Sequence, residues 1–278
     1  MSMKIVADSC CDVNDEIREQ TQVELVPLTI QIEDKTYRDD DGLDMDSFIE
    51  DMKESPEVPK TSCPSPQDFI ERYKGKKSVF VVTLSSKLSG TFQSAMLAKE
   101  IFLTEIGNKF IHVFDSLSAS IGETLVSLKI SELIGKGLKE KDIVEKTDSY
   151  ISGMKTFFTL NTLDTLVKSG RVSQLAAKVS SALSIKPIMA GNKFGEIEVH
   201  EKVFGAKRVL KRLVEVIGEQ GINLEERVLG IAHCNCLEKA LAFKEEVLKK
   251  YNFRKIVIVK TAGISTVYAN EGGLIIAF

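Results

Sequence analysis

The sequence has no excess of charge of either sign and no long apolar run. Its 278 residues include 37 basic and 40 acidic side chains, which give a formal net charge of -3 with the two signs interspersed. Because no basic face dominates, the composition argues against nucleic acid as the main partner. No apolar segment approaches the ~18–20 residues that a membrane-spanning helix needs. We therefore do not expect an integral membrane protein.

The five cysteines have none of the spacings that are typical of zinc sites. His233, Cys234 and Cys236 are close in sequence, but no distant pair of cysteines completes a set of four ligands. The acidic segment at residues 37–48 does not fit a calcium loop, because its first and twelfth positions hold Tyr37 and Phe48. An odd number of cysteines without a secretory signal is typical of a reducing compartment. We therefore expect a cytoplasmic protein with no metal and no cofactor.

Common nucleotide-binding and nucleophile motifs are also missing. Neither Gly-x-Gly-x-x-Gly nor Gly-x-x-x-x-Gly-Lys-Ser/Thr occurs, and Ser89 lacks the flanking glycines of a nucleophile elbow. No serine or cysteine motif connects any of the three histidines to a nucleophile. The sequence therefore shows no convincing set of catalytic residues.

The chain does contain a regular alternation of β-rich and helical segments, the pattern of an α/β protein. In the first half, strands are predicted at residues 4–7, 24–32, 78–84 and 109–114, and helices at 13–19, 46–53, 66–73, 91–102, 123–134 and 141–153. In the second half, strands are predicted at residues 156–160, 185–190, 196–203, 228–232, 256–260 and 274–278, and helices at 174–183, 206–219 and 237–251. A chain of 278 residues is near the limit of one hydrophobic core. We therefore predict two α/β domains, residues 1–153 and 154–278, with a ligand pocket at their junction.

The most distinctive segment is Thr-Leu-Ser-Ser-Lys-Leu-Ser-Gly-Thr at residues 83–91. It lies between an apolar run at residues 78–82 and an amphipathic segment, which predicts a strand, a turn rich in hydroxyls and a helix. Such a turn directs free backbone N–H groups and hydroxyls toward one point at the positive end of the helix dipole. The segment is suited to hold a carboxylate or a phosphate, although a serine-rich helix cap is the simpler interpretation of it alone.

Three further segments accompany this turn. They are Asp-Ser-Cys-Cys-Asp at residues 8–12, Thr-Ser-Cys-Pro-Ser at residues 61–65 and Gly-Arg-Val-Ser at residues 170–173. The four blocks, in this order, resemble the pattern of the DegV family of bacterial fatty-acid-binding proteins, and the resemblance covers nearly the whole chain. It implies two α/β domains of DegV type that bind a long-chain fatty acid at their junction.

The resemblance also implies which residues hold the carboxylate. The threonine of the Thr-Ser-x-Pro-Ser block and the serine before Gly-Thr are Thr61 and Ser89 here, and both look like direct ligands. Ser62 offers another hydroxyl, while Gly90 and Thr91 offer the N–H groups of a helix start. Without the family pattern, a turn hydroxyl would be the simpler interpretation of Thr61.

Four more residues are expected around this headgroup site. Asp8 and Ser9 follow the first predicted strand, at the edge that lines the crevice in open α/β sheets. Arg171 follows Gly170, a predicted helix C-terminal glycine, and its guanidinium would favour anions; a surface arginine in a turn is the alternative. Tyr268 takes the place of the histidine in the family pattern His-x-Gly-Pro-Gly.

The acyl tail requires an apolar tunnel. For a sixteen-carbon chain, ~14 methylenes at ~0.8 kcal/mol each give roughly 11 kcal/mol of gross transfer free energy, so the tail supplies most of the affinity. Core packing is the simpler explanation for each candidate lining residue. The candidates are Phe92, Met96, Leu183, Ile185, Ile188 and Met189.

A second departure from the family pattern bears on a partner protein. Family members that work with a fatty acid kinase tend to carry an arginine after Lys-Val in the second domain, where this chain has Phe204. The resemblance implies a binding subunit that is not itself an enzyme and presents the acyl carboxylate to a separate kinase, feeding phospholipid synthesis. The alternative function is a small-molecule phosphotransferase or hydrolase that uses Ser89 and Asp8.

Overall fold

The computed structural model describes residues 3–75, 77–172 and 185–278. The strands of these residues are β1 (Met3–Asp8), β2 (Glu24–Val26), β3 (Thr29–Ile32), β4 (Lys35–Arg38), β5 (Lys60–Ser62), β6 (Ser78–Thr83), β7 (Ile111–Asp115), β8 (Thr156–Thr159), β9 (Ile185–Gly191), β10 (Ile197–Phe204), β11 (Val228–His233), β12 (Lys255–Lys260) and β13 (Leu274–Ala277). The α-helices are α1 (Asp15–Thr21), α2 (Met45–Glu54), α3 (Pro66–Tyr73), α4 (Thr91–Ile101), α5 (Ile121–Gly135), α6 (Glu140–Gly153), α7 (Asp164–Lys168), α8 (Ala206–Gln220), α9 (Leu237–Leu248) and α10 (Gly263–Ala269). A π-helical turn, Phe102–Ile106, follows α4, and a 3-10 turn, Leu224–Glu226, precedes β11.

The first half of the chain builds two sheets. Four parallel strands pair in the order β2-β1-β6-β7, and three antiparallel strands pair in the order β4-β3-β5. Alternate residues of β6 face opposite sides: Val79 and Val81 pack with α3 and α4, whereas Phe80 and Val82 pack with α5. The unbroken apolar run of β6 is therefore explained by helices on both faces, as predicted.

The second half builds a six-stranded sheet in the order β10-β9-β8-β13-β11-β12. Only the pair of β11 and β12 is parallel in this sheet. On one face, Leu213 and Ile217 of α8 and Phe243 of α9 form a core with Ile188 and Ile231. The predicted α/β architecture of the second half is thus present, although most of its strand pairs are antiparallel.

Helix α5 forms a layer between the two larger sheets. It contacts β1 and β6 of the first sheet as well as β11 and β13 of the second. Its side chains Ile121 and Leu125 pack with Ala232, Val257 and Ala277 of the second sheet. The residues from Ile121 to Ser127, in the N-terminal half of the helix, are all buried between the two sheets.

Most predicted elements are confirmed, including the six strands of the second half. The segment at residues 24–32, predicted as one strand, is instead β2 and β3, which belong to different sheets. Pro27 separates them because proline has no N–H for a strand ladder, and the N–H of Leu28 donates to Ser9 Oγ at 3.0 Å. The helix predicted at residues 174–183 lies outside the described residues.

Short elements that were not predicted include β4, β5, α10 and the 3-10 turn Leu224–Glu226. The boundary predicted between residues 153 and 154 falls in the loop between α6 and β8, and its use as a domain boundary stays a prediction. Across the described ranges, no helix has both the length and the apolar composition that spanning a bilayer demands.

Candidate functional site

A cavity lies where the two halves of the chain meet, close to the N-terminal end of α5. It contains about 790 Å³ of empty space, counted out to its open mouth. Apolar side chains from both halves form most of the wall: Leu84, Leu88, Leu117, Phe158, Leu160, Leu166, Ile197, Ile264 and Ile275. The expectation of a pocket between the two halves is confirmed.

Serines also border the cavity, but their hydroxyls bond to protein atoms. Ser118 Oγ lies 2.8 Å from Thr156 Oγ1, and Ser120 Oγ donates to Asp12. Ser265 Oγ donates to the backbone carbonyl of Cys10 at 3.4 Å. The hydroxyls are thus already paired, and the wall suits an alkyl chain better than a polar ligand.

Arg171 stands at the mouth of this cavity. Gly170, with φ of 75°, ends α7 as predicted, and the N–H of Arg171 then donates to Leu166 O at 2.9 Å. The guanidinium donates to two backbone carbonyls, those of Leu88 at 3.2 Å and Ser169 at 2.9 Å. Carbonyls are neutral, so these bonds hold the positive charge in place without cancelling it. The mouth therefore favours an anionic group.

Tyr268 connects Arg171 to Thr61. Its ring centroid lies 5.5 Å from Arg171 Cζ, and its hydroxyl lies 2.6 Å from Thr61 Oγ1. Thr61 lies in the middle of β5 and pairs there with Ile30. Ser62 is the next residue of β5, so its side chain points to the opposite side, where it is exposed. The structure thus brings three of the predicted residues together but not Ser62.

The hydroxyl-rich turn adjoins the same mouth. Helix α4 begins at Thr91 after Gly90, as predicted. Ser89 Oγ lies 2.9 Å from Thr91 Oγ1 and accepts from the Thr91 N–H at 3.3 Å, while the Thr91 side chain is fully buried. Ser89 and Gly90 line a shallow outer cleft together with Arg171. Leu88 and Arg171 border both this cleft and the apolar cavity, so the two spaces are adjacent.

Asp8 and Ser9 lie behind the site and hold its loops. Asp8 is fully buried, and its two oxygens accept from the N–H groups of Cys10 at 3.0 Å and Leu84 at 2.8 Å. Burial raises the pKa of Asp8 to about 7, and the two backbone hydrogen bonds oppose this increase only in part. Ser9 Oγ accepts from the N–H of Leu28. Both side chains therefore support the turns around the cavity and do not line it.

Two buried acids fix α10, the helix that carries Tyr268. Asp39 accepts from the N–H groups of Gly263 at 2.8 Å and Ile264 at 3.0 Å, at the start of this helix. Asp12 accepts from the N–H of Ala262 at 2.6 Å. The role of Asp39 was not predicted from the sequence, because nothing near it in the chain indicates a partner more than 200 residues away.

Three buried side chains form a potential metal-binding group. The donor atoms of Asp8, Cys10 and Glu123 all lie within 4.8 Å of one another. Both oxygens of Glu123 have no hydrogen-bond partner among the described residues. Burial raises the pKa of all three groups, which favours their neutral and weakly ligating forms. The expected absence of a metal stays a prediction.

The residues predicted for the tail are not among those that border the described cavity. Ile188 and Met189 are buried in the cores of the second half, Phe92 packs on the first sheet and Met96 is exposed. Leu183 lies outside the described residues, and Ile185, at the start of β9, is half-buried. Much of the true lining, such as Phe158, Ile197 and Ile275, lies on strand faces. An alternating pattern in the sequence marks those residues as inward-facing but does not show what they face.

Comparison with known proteins gives one family. A family model described as "Uncharacterised protein, DegV family" matches residues 2–278. A DegV domain-containing protein of Streptococcus pyogenes is 36% identical over 280 residues, which cover 100% of this chain and 99% of the relative. The crystal structure of a DegV family protein from Ruminococcus gnavus with vaccenic acid matches 100% of both chains at 40% identity and a TM-score of 0.95.

A further solved structure is that of the Streptococcus pneumoniae Fatty Acid Kinase (Fak) B3 protein loaded with linoleic acid. It is 33% identical to this chain, has a TM-score of 0.92, and the match covers 100% of this chain and 99% of that one. Sequence and fold therefore agree over the full length of the chain, which belongs to the DegV family.

Proposed function

We propose that the chain binds one long-chain fatty acid, with its tail in the apolar cavity and its carboxylate at the mouth beside Arg171. The observation that carries this proposal is an apolar cavity with a cation at its entrance, formed jointly by both halves of the chain. The Ruminococcus gnavus and Streptococcus pneumoniae proteins, at 40% and 33% identity, hold vaccenic and linoleic acid. Their ligands support an acyl ligand for this chain as well.

The two ends of the ligand contribute differently. Burying ~14 methylenes of a sixteen-carbon tail gives roughly 11 kcal/mol of gross free energy, from which association and ordering subtract several kcal/mol. A charged hydrogen bond at the mouth contributes about 1.5–3 kcal/mol. The tail therefore sets most of the affinity, and the mouth decides which end of the ligand points outward.

In this arrangement Arg171 is the main partner of the carboxylate. Ser89 and the N–H groups at the start of α4 border the same outer cleft and supply further donors. Thr61 acts together with Tyr268, because their hydroxyls are hydrogen-bonded to each other. Ser62, exposed on β5, is the weakest of the predicted carboxylate ligands.

We also propose that the chain is a binding subunit that presents its fatty acid to a kinase. The likeness to the Fak B3 protein supports this role, and the outer cleft leaves a carboxylate at Arg171 open to solvent. A phosphotransferase or hydrolase based on Ser89 and Asp8 is less well supported. The described hydrogen bonds of the Ser89 hydroxyl are with Thr91, and Asp8 is buried with both oxygens bonded to backbone N–H groups.

The test is to extract the purified protein with organic solvent and to identify the extract by mass spectrometry. We expect about one fatty acid per chain. Ala119→Phe places a larger side chain in the cavity, and this variant should lose the bound fatty acid. Ala242→Phe, on the exposed face of α9, should retain the fatty acid. An empty wild-type protein that also takes up no added palmitate or oleate would overturn the proposal, as would equal lipid content in both variants.

A further inference from the structure

A second and polar cleft lies along α5, away from the acyl cavity. The N-terminal end of α5 borders the acyl cavity, whereas Lys129 and Glu132 in its C-terminal half, and Lys136 just after its end, border the cleft. Nine residues, from Ser120 to Lys129, place the backbone of Lys129 about 13 Å further along the helix than that of Ser120. The cleft contains about 1500 Å³ of empty space, including space open to solvent. It has room for a ligand of nucleotide size.

The side chains that border this cleft carry a surplus of positive charge. The basic ones are Lys129, Lys136, Arg227, Arg254 and Lys255, and the acidic ones are Glu132 and Glu226. They come from both halves of the chain and face one concave space. The cleft therefore has the charge of an anion site.

Glu132 lies among three of these cations. Its oxygens are 2.5 Å from Lys136 Nζ, 3.1 Å from Arg254 Nη2 and 3.7 Å from Lys129 Nζ. Burial by itself raises the pKa of Glu132, but the hydrogen bonds from Lys136 and Arg254 outweigh it and hold the pKa at about 2. One ionised carboxylate thus faces three positive charges, and two of those charges remain uncompensated in this group.

Arg227, just before β11, adds a guanidinium to the lining of the cleft. It donates to Ile222 O at 3.0 Å and to Gly153 O at 3.1 Å, so backbone groups of both halves hold it in position. These carbonyls are neutral and leave its formal charge available. The charge of Lys255 is compensated, because its Nζ lies 2.9 Å from Glu16 Oε1.

The floor of the cleft is apolar and aromatic. Leu125, Leu128, Tyr150 and Val228 form part of its lining, and Lys129 Nζ lies 5.7 Å from the Tyr150 ring centroid. An organic group attached to an anion would find a surface to pack on, while the anion itself meets the basic rim.

We propose that this cleft binds a polyphosphate group, either free or carried on an organic molecule, between Lys129, Arg227 and Arg254. Guanidinium groups match phosphate oxygens in pairs, and a multiply charged anion gains from several cations on different walls. The site is independent of the acyl cavity and of the fatty acid proposed there.

The test is calorimetric titration of the folded protein with pyrophosphate, ADP and adenosine in 50 mM and 300 mM salt. We expect pyrophosphate and ADP to bind, with affinity that falls at least threefold at the higher salt concentration. Tighter binding of ADP than of pyrophosphate assigns the site to a carried polyphosphate, and equal binding assigns it to the free group. Adenosine binding as tight as that of ADP would overturn the proposal.

Variants locate the site. The double variant Arg227→Gln with Arg254→Gln should weaken ADP binding at least tenfold. The double variant Lys129→Gln with Lys136→Gln should have the same effect, and it leaves the backbone contacts of Arg227 in place. The matched control is Lys141→Gln with Lys146→Gln on the exposed face of α6, which removes the same charge outside the cleft. No binding of either anion at 5 mM, or an equal loss in the control, contradicts the proposal.

Discussion

The hydroxyls of Thr61 and Tyr268 lie 2.6 Å apart, although 207 residues separate them in the chain. Thr61 belongs to β5 of the first half and Tyr268 to α10 of the second, so the hydrogen bond joins the two halves at the mouth of the cavity. The same tyrosine ring faces the Arg171 guanidinium. Tyr268 thus sets the positions of two residues that the family pattern assigns to the headgroup site.

If this hydrogen bond orients the carboxylate site, its two partners should act as a unit. Thr61→Val and Tyr268→Phe should each weaken oleate binding about fivefold, near 1 kcal/mol. The double variant should lose little more than either single variant, because both substitutions remove the same bond. Titration calorimetry with delipidated protein measures this coupling. Ser62→Ala is the control on the same strand, and strictly additive losses would show that Thr61 and Tyr268 act separately.

Arg171 should discriminate between a carboxylate and a neutral headgroup. Arg171→Gln should weaken oleate binding at least tenfold, because charged hydrogen bonds contribute about 1.5–3 kcal/mol. The same substitution should leave the affinity for oleyl alcohol nearly unchanged. Lys168→Gln, an exposed charge four residues after the start of α7, is the control. Equal losses for the acid and the alcohol would mean that Arg171 shapes the cavity and does not bind the carboxylate.

The buried acids should make stability depend on pH. Burial raises the pKa of Asp8 and Asp12 to about 7, against ≈3.9 in an unfolded chain. Between these values the folded state binds more protons than the unfolded state, so these groups lower the free energy of unfolding as pH rises from about 4 to 7. His112 and His233, whose pKa burial lowers, act in the opposite sense.

A variant separates these contributions. Urea unfolding of wild type and Asp8→Asn at pH 5, 6, 7 and 8 should show that the wild type loses stability relative to the variant as pH rises. Both proteins share the histidines, so the histidine contribution cancels and the difference reports Asp8 together with its effect on the neighbouring Glu123. Asp34→Asn, at an exposed position, should leave the wild-type pH dependence unchanged. A constant difference between wild type and Asp8→Asn would mean that Asp8 has an ordinary pKa.

Transfer to a kinase should depend on two positions where this chain differs from the family pattern. Tyr268 carries no positive charge near neutral pH, and Phe204, 61% exposed, offers no guanidinium to a phosphoryl group. Tyr268→His with Phe204→Arg should therefore raise acyl-phosphate formation by a fatty acid kinase more than it raises oleate affinity. An acyl-phosphate assay compares the two proteins. Wild-type activity equal to that of a relative with both residues would remove any role for these positions.

Much of the fold was predictable because its signals are local. The strands of the second half and the start of α4 at Thr91 follow from short patterns of apolar, hydroxyl and glycine residues. Helix α10 has no such signal: Ile264, Thr266 and Val267 are β-branched, and its N-terminal N–H groups are bound by Asp39. A helix capped by a residue more than 200 positions away is not visible in its own sequence.

The same contrast holds for the site: its headgroup residues could be predicted, but its cavity wall could not. Thr61, Ser89 and Arg171 lie in short sequence blocks, and the resemblance to the DegV pattern groups these blocks at one site. The cavity wall depends on which strand faces lie opposite each other. Phe158 and Ile197 come from β8 and β10, which β9 separates in the sheet, and no spacing in the chain gives that order.

The most direct measurement is a crystal structure of the protein incubated with oleate. The account predicts one acyl chain in the cavity, its carboxylate within hydrogen-bond distance of Arg171 and its tail between Phe158, Ile197 and Ile275. Oleate found elsewhere, or oriented with its carboxylate away from Arg171, would contradict it.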